Sequence, residues 1–267
     1  MAEAPDLAGR LTWPPAVPAG WRPEGRDSVT STNAEAGALA AAGCAERTVV
    51  VAREQTVGRG RQGRSWTSPP GNLYASVVLR PQRPLAEAAQ LTFVIALALA
   101  DGIAALGPAT PPRLKWPNDV LVGGAKISGI LLESESAGGP NAAWVIAGTG
   151  VNIAHHPADA AIAATHLAEH MARPVSIGDL LHAYLTALDG WYARWLAEGF
   201  APVRAGWLDR AQGLGEAVRV RTARETFSGR FDSLTADGAL VVTTDDGQVR
   251  QVTAGDVMFG GARAAGD

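Results

Sequence analysis

The stretch from Ala88 to Leu106 constrains this chain more than any other, because at helical period it is apolar on almost every face. Such a helix has no polar side to turn to water and must be buried. Its longest unbroken apolar run, Phe93 to Ala100, is far short of the roughly 20 residues that span a bilayer, so the cover has to come from the chain's own core. The length allows this, since 267 residues suit one large domain, or one domain with a small appendage. With 47% hydrophobic and 18% charged residues, neither a disordered nor a fibrous chain fits.

The elements around that helix predict an α+β protein. Met1 to Arg26 carries Pro5, Pro14, Pro15, Pro18 and Pro23 and reads as an extended lead-in. Thr32-Asn33-Ala34-Glu35 matches a capping box, which predicts a helix from Thr32 to Gly43. Thr48 to Arg53 and Leu73 to Leu79 read as buried strands, separated by a long Gly/Arg/Pro-bearing segment from Gln55 to Asn72. A structureless stretch of that length is usually functional. Short strands follow at 113–116, 120–122, 127–133 and 143–147, with Gly123-Gly124 as a hairpin turn. Leu180, Leu181, Tyr184, Leu188, Trp191 and Trp195 are spaced for the core face of a helix over 177–196. From Glu216 the texture changes to strands at 218–221, 226–231, 239–243 and 249–253, with hairpin signals at Asp237-Gly238 and Asp246-Gly247, predicting a small all-β barrel.

The lone Cys44 cannot form an internal disulfide, and the N-terminus has no apolar core of signal-peptide length. A cytoplasmic protein with no membrane partner is expected. The net charge of −3 argues against a general polyanion binder. Positive charge is unevenly divided between residue types, with two lysines, Lys115 and Lys126, against twenty-one arginines.

Three segments carry chemistry. Gly58-Arg59-Gly60-Arg61-Gln62-Gly63-Arg64-Ser65-Trp66 puts guanidinium forks among glycines that let backbone amides approach a ligand, which reads as an anion-binding loop or, more plainly, a solvated basic loop. It is no Walker A loop, since no Gly-Lys-Ser/Thr follows. Lys115-Trp116-Pro117-Asn118-Asp119 and Lys126 use compact ammoniums where the rest of the chain uses planar forks. An ammonium can follow a charge that moves from a carboxylate to a phosphate oxygen. Gly148-Thr149-Gly150-Val151-Asn152 ends an apolar strand and leaves room against bare backbone. Of five asparagines, only Asn141 lies outside the segments singled out, which hold Asn33, Asn72, Asn118 and Asn152.

Other constellations are weaker. His166 and His170 have a spacing that can bind zinc on a helix face, yet no His-Glu-x-x-His and no assisting cysteine accompany them, so no zinc site is expected. A nucleophile elbow is missing, and Cys44 follows an Ala-rich helix as a buried residue would.

Ser31-Thr32-Asn33, Gln55, the Gly58–Arg64 run with Trp66, Lys115 to Asp119, Lys126-x-x-Gly129-Ile130-Leu131 and Gly148-x-Gly150-x-Asn152, in this order, resemble the motif set of bacterial biotin protein ligases over residues 27 to 262. The resemblance implies a mixed β-sheet flanked by helices, with a biotin- and ATP-binding domain at 27–213 and an SH3-like barrel at 214–262. It implies ATP, biotin and Mg²⁺, a biotinyl-5′-AMP intermediate, and transfer to a biotin carboxyl carrier protein domain of an acyl-CoA carboxylase. By matching position it gives biotin Ser31, Thr32, Asn33, Gln55, Arg59, Gly60, Arg61, Lys126, Gly129, Gly148 and Gly150. The nucleotide takes Arg61, Arg64, Trp66, Lys115, Asn118 and Asn152, with catalysis at Lys126 and Arg59 and a metal role for Asp119. Trp66 stacks on adenine in this reading, and the arginine loop is a lid that is mobile when empty. No winged helix fits in the 26-residue lead-in, so no specific DNA binding is expected. A lipoate or octanoate ligase or transferase of the same superfamily, and a non-catalytic anion-binding module, are the alternatives.

Overall fold

The computed structural model describes residues 13–136, 138–158 and 163–259. The first twelve residues of the lead-in, Pro5 included, and residues 260–262 of the C-terminal segment lie outside them. The centre is a seven-stranded sheet in the order β1-β2-β3-β7-β6-β5-β4. Its strands are β1 (Arg22–Val29), β2 (Thr48–Gln55), β3 (Leu73–Leu79), β4 (Arg113–Lys115), β5 (Asp119–Val122), β6 (Ala125–Ser136) and β7 (Ala142–Val151). Only β1 and β2 pair in parallel, with α1 (Thr32–Ala41) as the crossover, so the sheet is mixed as expected.

Two features of the N-terminal reading need correction. The lead-in ends before Arg22, because residues 22–26 belong to β1. That strand is an edge, where Pro23 removes a donor without breaking a ladder on both sides. The capping box does not form either. Ser31 is the N-cap and makes no side-chain cap bond, while the Glu35 carboxylate lies 3.5 Å from Arg26 Nε instead of returning to the helix start.

Alternation along the strands sorts the core into two layers. Val50, Val78 and Ile146 face α1, meeting Ala36 and Ala40. Their neighbours Val49, Val51, Val77, Leu79, Val145 and Ala147 face the other way. That side is covered by α3 (Leu91–Ala105) and α4 (Ile177–Glu198), with a short α2 (Leu85–Ala88) before them. Covered on both faces, β3 is buried at every residue. Residues 85–105 are apolar and long enough to cross a membrane, but here they are mostly buried and α3 is the central core helix.

The α4 helix opens with a capping box between Ser176 and Asp179 and stops at Gly199, whose φ of 74° suits glycine. A further helix absent from the sequence reading, α5 (Phe200–Asp209), carries the chain to the C-terminal unit. That unit is an antiparallel sheet in the order β11-β10-β9-β8-β12, from β8 (Ala217–Arg221), β9 (Thr226–Leu234), β10 (Leu240–Thr244), β11 (Val249–Val252) and β12 (Asp256–Phe259). β12 was not anticipated, and no β11–β12 pairing closes the sheet among the described residues. It docks on the main body through Phe93, Phe200, Trp207 and Phe231, whose rings meet edge to face, and through Trp116 Nε1, which donates to the Gly238 carbonyl at 3.1 Å.

Close approach of α3 and α4 depends on Gly102, where a Cβ would lie 2.8 Å from the Tyr184 backbone nitrogen and Cα. Backbone cannot yield as a side chain can. Replacing Gly102 by Leu therefore costs about 1–3 kcal/mol of stability. Thermal unfolding should show the variant melting about 2–10 °C below wild type; an unchanged midpoint contradicts the packing described.

Candidate active site

The site occupies the part of the sheet face that α1 leaves uncovered. Cross-strand register places Val50, Ser76, Gly148 and Leu131 in one row, and Ala52, Tyr74, Gly150, Gly129 and Asp119 in the next. Val78 and Ile146, one step back, pack under α1. Moving along the face, apolar residues thus give way to a hydroxyl, three glycines and a carboxylate. The glycines are required by neighbours. A Cβ on Gly148 would collide with Asn33 Oδ1, one on Gly150 with the Trp66 ring, and one on Gly129 would lie 3.3 Å from Lys126 Nζ.

At the N-terminus of α1 a polar network holds the first residues of the helix. Gln55 Oε1 accepts from the Thr32 N–H at 2.9 Å and from its hydroxyl at 3.1 Å, capping the helix from another strand. Gln55 Nε2 donates to Ser68 Oγ at 2.9 Å. The Ser76 hydroxyl lies 2.8 Å from Thr32 Oγ1 and 2.6 Å from Asn33 Oδ1, and Asn33 Nδ2 donates to Glu133 at 2.8 Å. Ser31, Thr32, Asn33 and Ser76 are all buried. This is a fixed set of neutral donors and acceptors, suited to an uncharged polar ring.

The Gly/Arg segment lies down over that face. Arg59 Nη2 donates to Glu133 at 3.0 Å, Arg61 Nη1 to Asn118 Oδ1 at 2.9 Å, and Arg64 to Asp256 of β12, which Arg221 also contacts at 3.0 Å. The Gly60 N–H donates to the Arg64 carbonyl at 2.6 Å, tightening the turn. The loop thus contacts three separate parts of the fold, at Glu133, Asn118 and Asp256. Trp66 lies against Gly129 and Gly150, with Lys126 Nζ 5.5 Å from the centre of its ring. Its indole N–H is buried with no partner among the described residues, a polar atom that a ligand or water would satisfy. An open cleft of about 510 Å³ runs beside the loop between Gln55, Gly58, Trp66 and Ser68.

Both lysines converge on one carboxylate. Lys126 Nζ is 2.6 Å from Asp119 Oδ1 and Lys115 Nζ is 3.8 Å from Asp119 Oδ2, with Lys115 and Asp119 buried. Burial pulls the Lys115 ammonium below its ordinary pKa, opposed by Asp119, and burial likewise lowers Arg61. Both Asp119 oxygens face ammonium groups here, so a divalent cation at this carboxylate would share it with Lys126 and Lys115.

Two predicted residues stand apart. Asn152 is buried and its amide donates to the Thr165 carbonyl at 3.0 Å, so its side chain ties the 163–170 segment to the end of β7. Arg64 points to the C-terminal sheet. Asn72 acts structurally, its Oδ1 accepting from the Ile153 and Ala154 N–H groups at 2.8 and 2.9 Å. Sequence reasoning missed Glu133, Ser76 and Asp256. Glu133 ends a predicted strand as an isolated acid, and Asp256 lies in a strand that was not foreseen.

The chain is similar to known proteins over most of its length. Residues 26–152 match the Biotin/lipoate A/B protein ligase family and residues 213–260 the Biotin protein ligase C terminal domain. A biotin-[acetyl-CoA-carboxylase] ligase of Paracoccus denitrificans is 44% identical over 242 residues, 86% of this chain and 98% of that protein. The biotin protein ligase of Aquifex aeolicus in complex with biotin and ATP superposes with a TM-score of 0.75 at 26% identity, covering 89% of this chain and 97% of the other. That of Leishmania major in complex with biotinyl-5-AMP gives 0.57 at 28% identity, covering 87% and 99%. With the likeness extending over both the main sheet and the C-terminal one, this chain belongs to the biotin protein ligase family.

Proposed function

We infer that the chain is an ATP-dependent biotin protein ligase, joining biotin to a lysine of a biotin carboxyl carrier domain by way of biotinyl-5′-AMP. The observation that carries this reading is one sheet face on which a neutral polar pocket, a pair of ammoniums and an arginine loop adjoin. In the first step an oxygen of the biotin carboxylate forms a bond to the α-phosphorus of ATP and pyrophosphate leaves. In the second the carrier amine bonds to the acyl carbon, loses a proton, and AMP leaves.

Ser31, Thr32, Asn33 and Gln55 supply hydroxyl and amide partners for the ureido ring, and Gly148 and Gly150 make the room that Asn33 and the Trp66 ring occupy beside it. Lys126, oriented by Asp119, sits where charge passes from carboxylate to phosphate, a position at which it favours the transition state over the ground state. Lys115 and Asn118 adjoin it on the nucleotide side, and Trp66 offers adenine a ring face. Asn152 acts on that side by holding the strand end behind Lys126. Arg59, Gly60, Arg61 and Arg64 belong to the lid. Each arginine now holds an acidic or amide partner, and exposed ion pairs of this sort are worth only about 0–1 kcal/mol. Phosphate oxygens compete readily for such forks. Mg²⁺ arrives with the ATP phosphates in this reading, coordinated by oxygens and water. The C-terminal unit is proposed to be the SH3-like barrel of the family, steadying the lid through Asp256, and the protein is proposed to be cytoplasmic.

Incubating the protein with Mg-ATP, a carrier domain and biotin, lipoate or octanoate in turn tests the substrate. AMP release and labelling of one carrier lysine should occur with biotin alone. Labelling with lipoate or octanoate instead selects the superfamily alternative, and no AMP with any acid supports a non-catalytic module. Limited proteolysis tests the lid: cleavage within residues 58–70 should slow at least about tenfold when biotin and ATP are both present. Equal cutting with and without ligands contradicts closure.

A further inference from the structure

We propose that His156, His166 and Glu169 form a binding site for a zinc-class divalent cation, separate from the reaction's Mg²⁺ and coupled to the strand that carries Lys126. His156 Nδ1 and His166 Nδ1 face each other at 2.9 Å, with ring centres 5.1 Å apart and planes tilted by 33°. His166 Nδ1 is 3.5 Å from Glu169 Oε1. Two imidazole nitrogens and a carboxylate oxygen thus converge within 4.8 Å of one another. Ligands of a tetrahedral zinc ion at roughly 2.0–2.1 Å stand about 3.3 Å from each other, near the two separations made by His166. Without a metal, one ring donates its Nδ1–H to the other. A cation takes that place when the donated hydrogen moves to the ring's Nε2.

The surroundings orient the donors. The Thr165 hydroxyl donates to Glu169 Oε2 at 2.6 Å and fixes the carboxylate beside the two rings. Thr165 also lies 2.7 Å from His170 Nε2, so His170 buttresses the carboxylate from behind. The donor set selects the metal: imidazole suits zinc, copper and nickel, whereas Mg²⁺ prefers oxygen and water.

The site grips the segment that braces the catalytic lysine. The Lys126 N–H donates to the Ala163 carbonyl at 2.8 Å, and the Thr165 N–H returns to the Lys126 carbonyl at 2.9 Å. Leu167 donates to the Asn152 carbonyl at 3.0 Å and Ala168 to that of Ile153 at 3.0 Å. A cation tying His156, just past the end of β7, to His166 and Glu169 in this segment would fix the backbone on both sides of Lys126. Sequence spacing pointed to His166 and His170, as on a helix. The chain is not α-helical there, and His156, ten residues upstream, is the partner.

Untagged protein titrated with Co²⁺ in excess Mg²⁺ reads the site without reference to catalysis. One equivalent should develop the intense visible bands of a four-coordinate ion, and Zn²⁺ should quench them. The signal should vanish in His156→Gln and in the double variant H156Q/H166Q. It should persist in His182→Gln, at an exposed histidine on α4. Saturating Zn²⁺ should raise the melting temperature by about 5 °C in wild type and not in the double variant. Weak octahedral absorption only, or bands that survive the double substitution, would overturn the proposal.

Discussion

Asp119 is buried, and its two oxygens face the only two lysines in the sequence, Lys126 at 2.6 Å and Lys115 at 3.8 Å. Two ammoniums this close repel, and a lone charge at this depth costs several kcal/mol. The carboxylate makes the pair tolerable while leaving a residual positive charge fixed on the floor of the site. That residue of charge is what an anionic reaction needs, because preorganised groups lose little on reaching the transition state. The β4–β5 hairpin carries Lys115 and Asp119, and the turn into β6 delivers Lys126 alongside.

Everything else arranges access to that charge. The sheet is covered on one side by α3 and α4 and on the other by α1, which reaches only part way across. Where α1 stops, Ser76, Gly148, Gly150 and Gly129 keep the face shallow enough for a ligand, and Asn33 and Trp66 fill what the glycines leave. The arginine loop closes the top by reaching to the β4–β5 turn, β6 and β12. Because Arg64 meets Asp256, the C-terminal sheet is part of the enclosure and not an appended module.

Much of this was legible in the sequence, for identifiable reasons. Glycines at 148 and 150 and lysines at 115 and 126 stood out by residue type, and the motif order shared with biotin protein ligases joined them with Gly129 into one expected site. The buried helix and the strands β2 and β3 showed in local hydrophobic pattern. Interactions made across the fold left no such mark. Gln55 caps α1 from 23 residues away, in place of the local Glu35 capping box. Arg-Pro-Glu-Gly-Arg-Asp-Ser-Val looks like coil and is a strand only because β2 provides a partner. Glu133 and Asp256 acquire meaning from arginines 74 and 192 positions distant.

The central claim is that Lys126 acts as a compact ammonium poised by Asp119, and not merely as a positive charge. Rapid-quench measurement of biotinyl-5′-AMP formation at saturating biotin and Mg-ATP tests it directly, comparing wild type with Lys126→Arg and Lys115→Arg. A planar guanidinium keeps the charge but cannot take the ammonium's place. The rate constant should fall by about 100-fold or more for Lys126→Arg and by less than about tenfold for Lys115→Arg. Adenylate formation at the wild-type rate in Lys126→Arg would contradict the account.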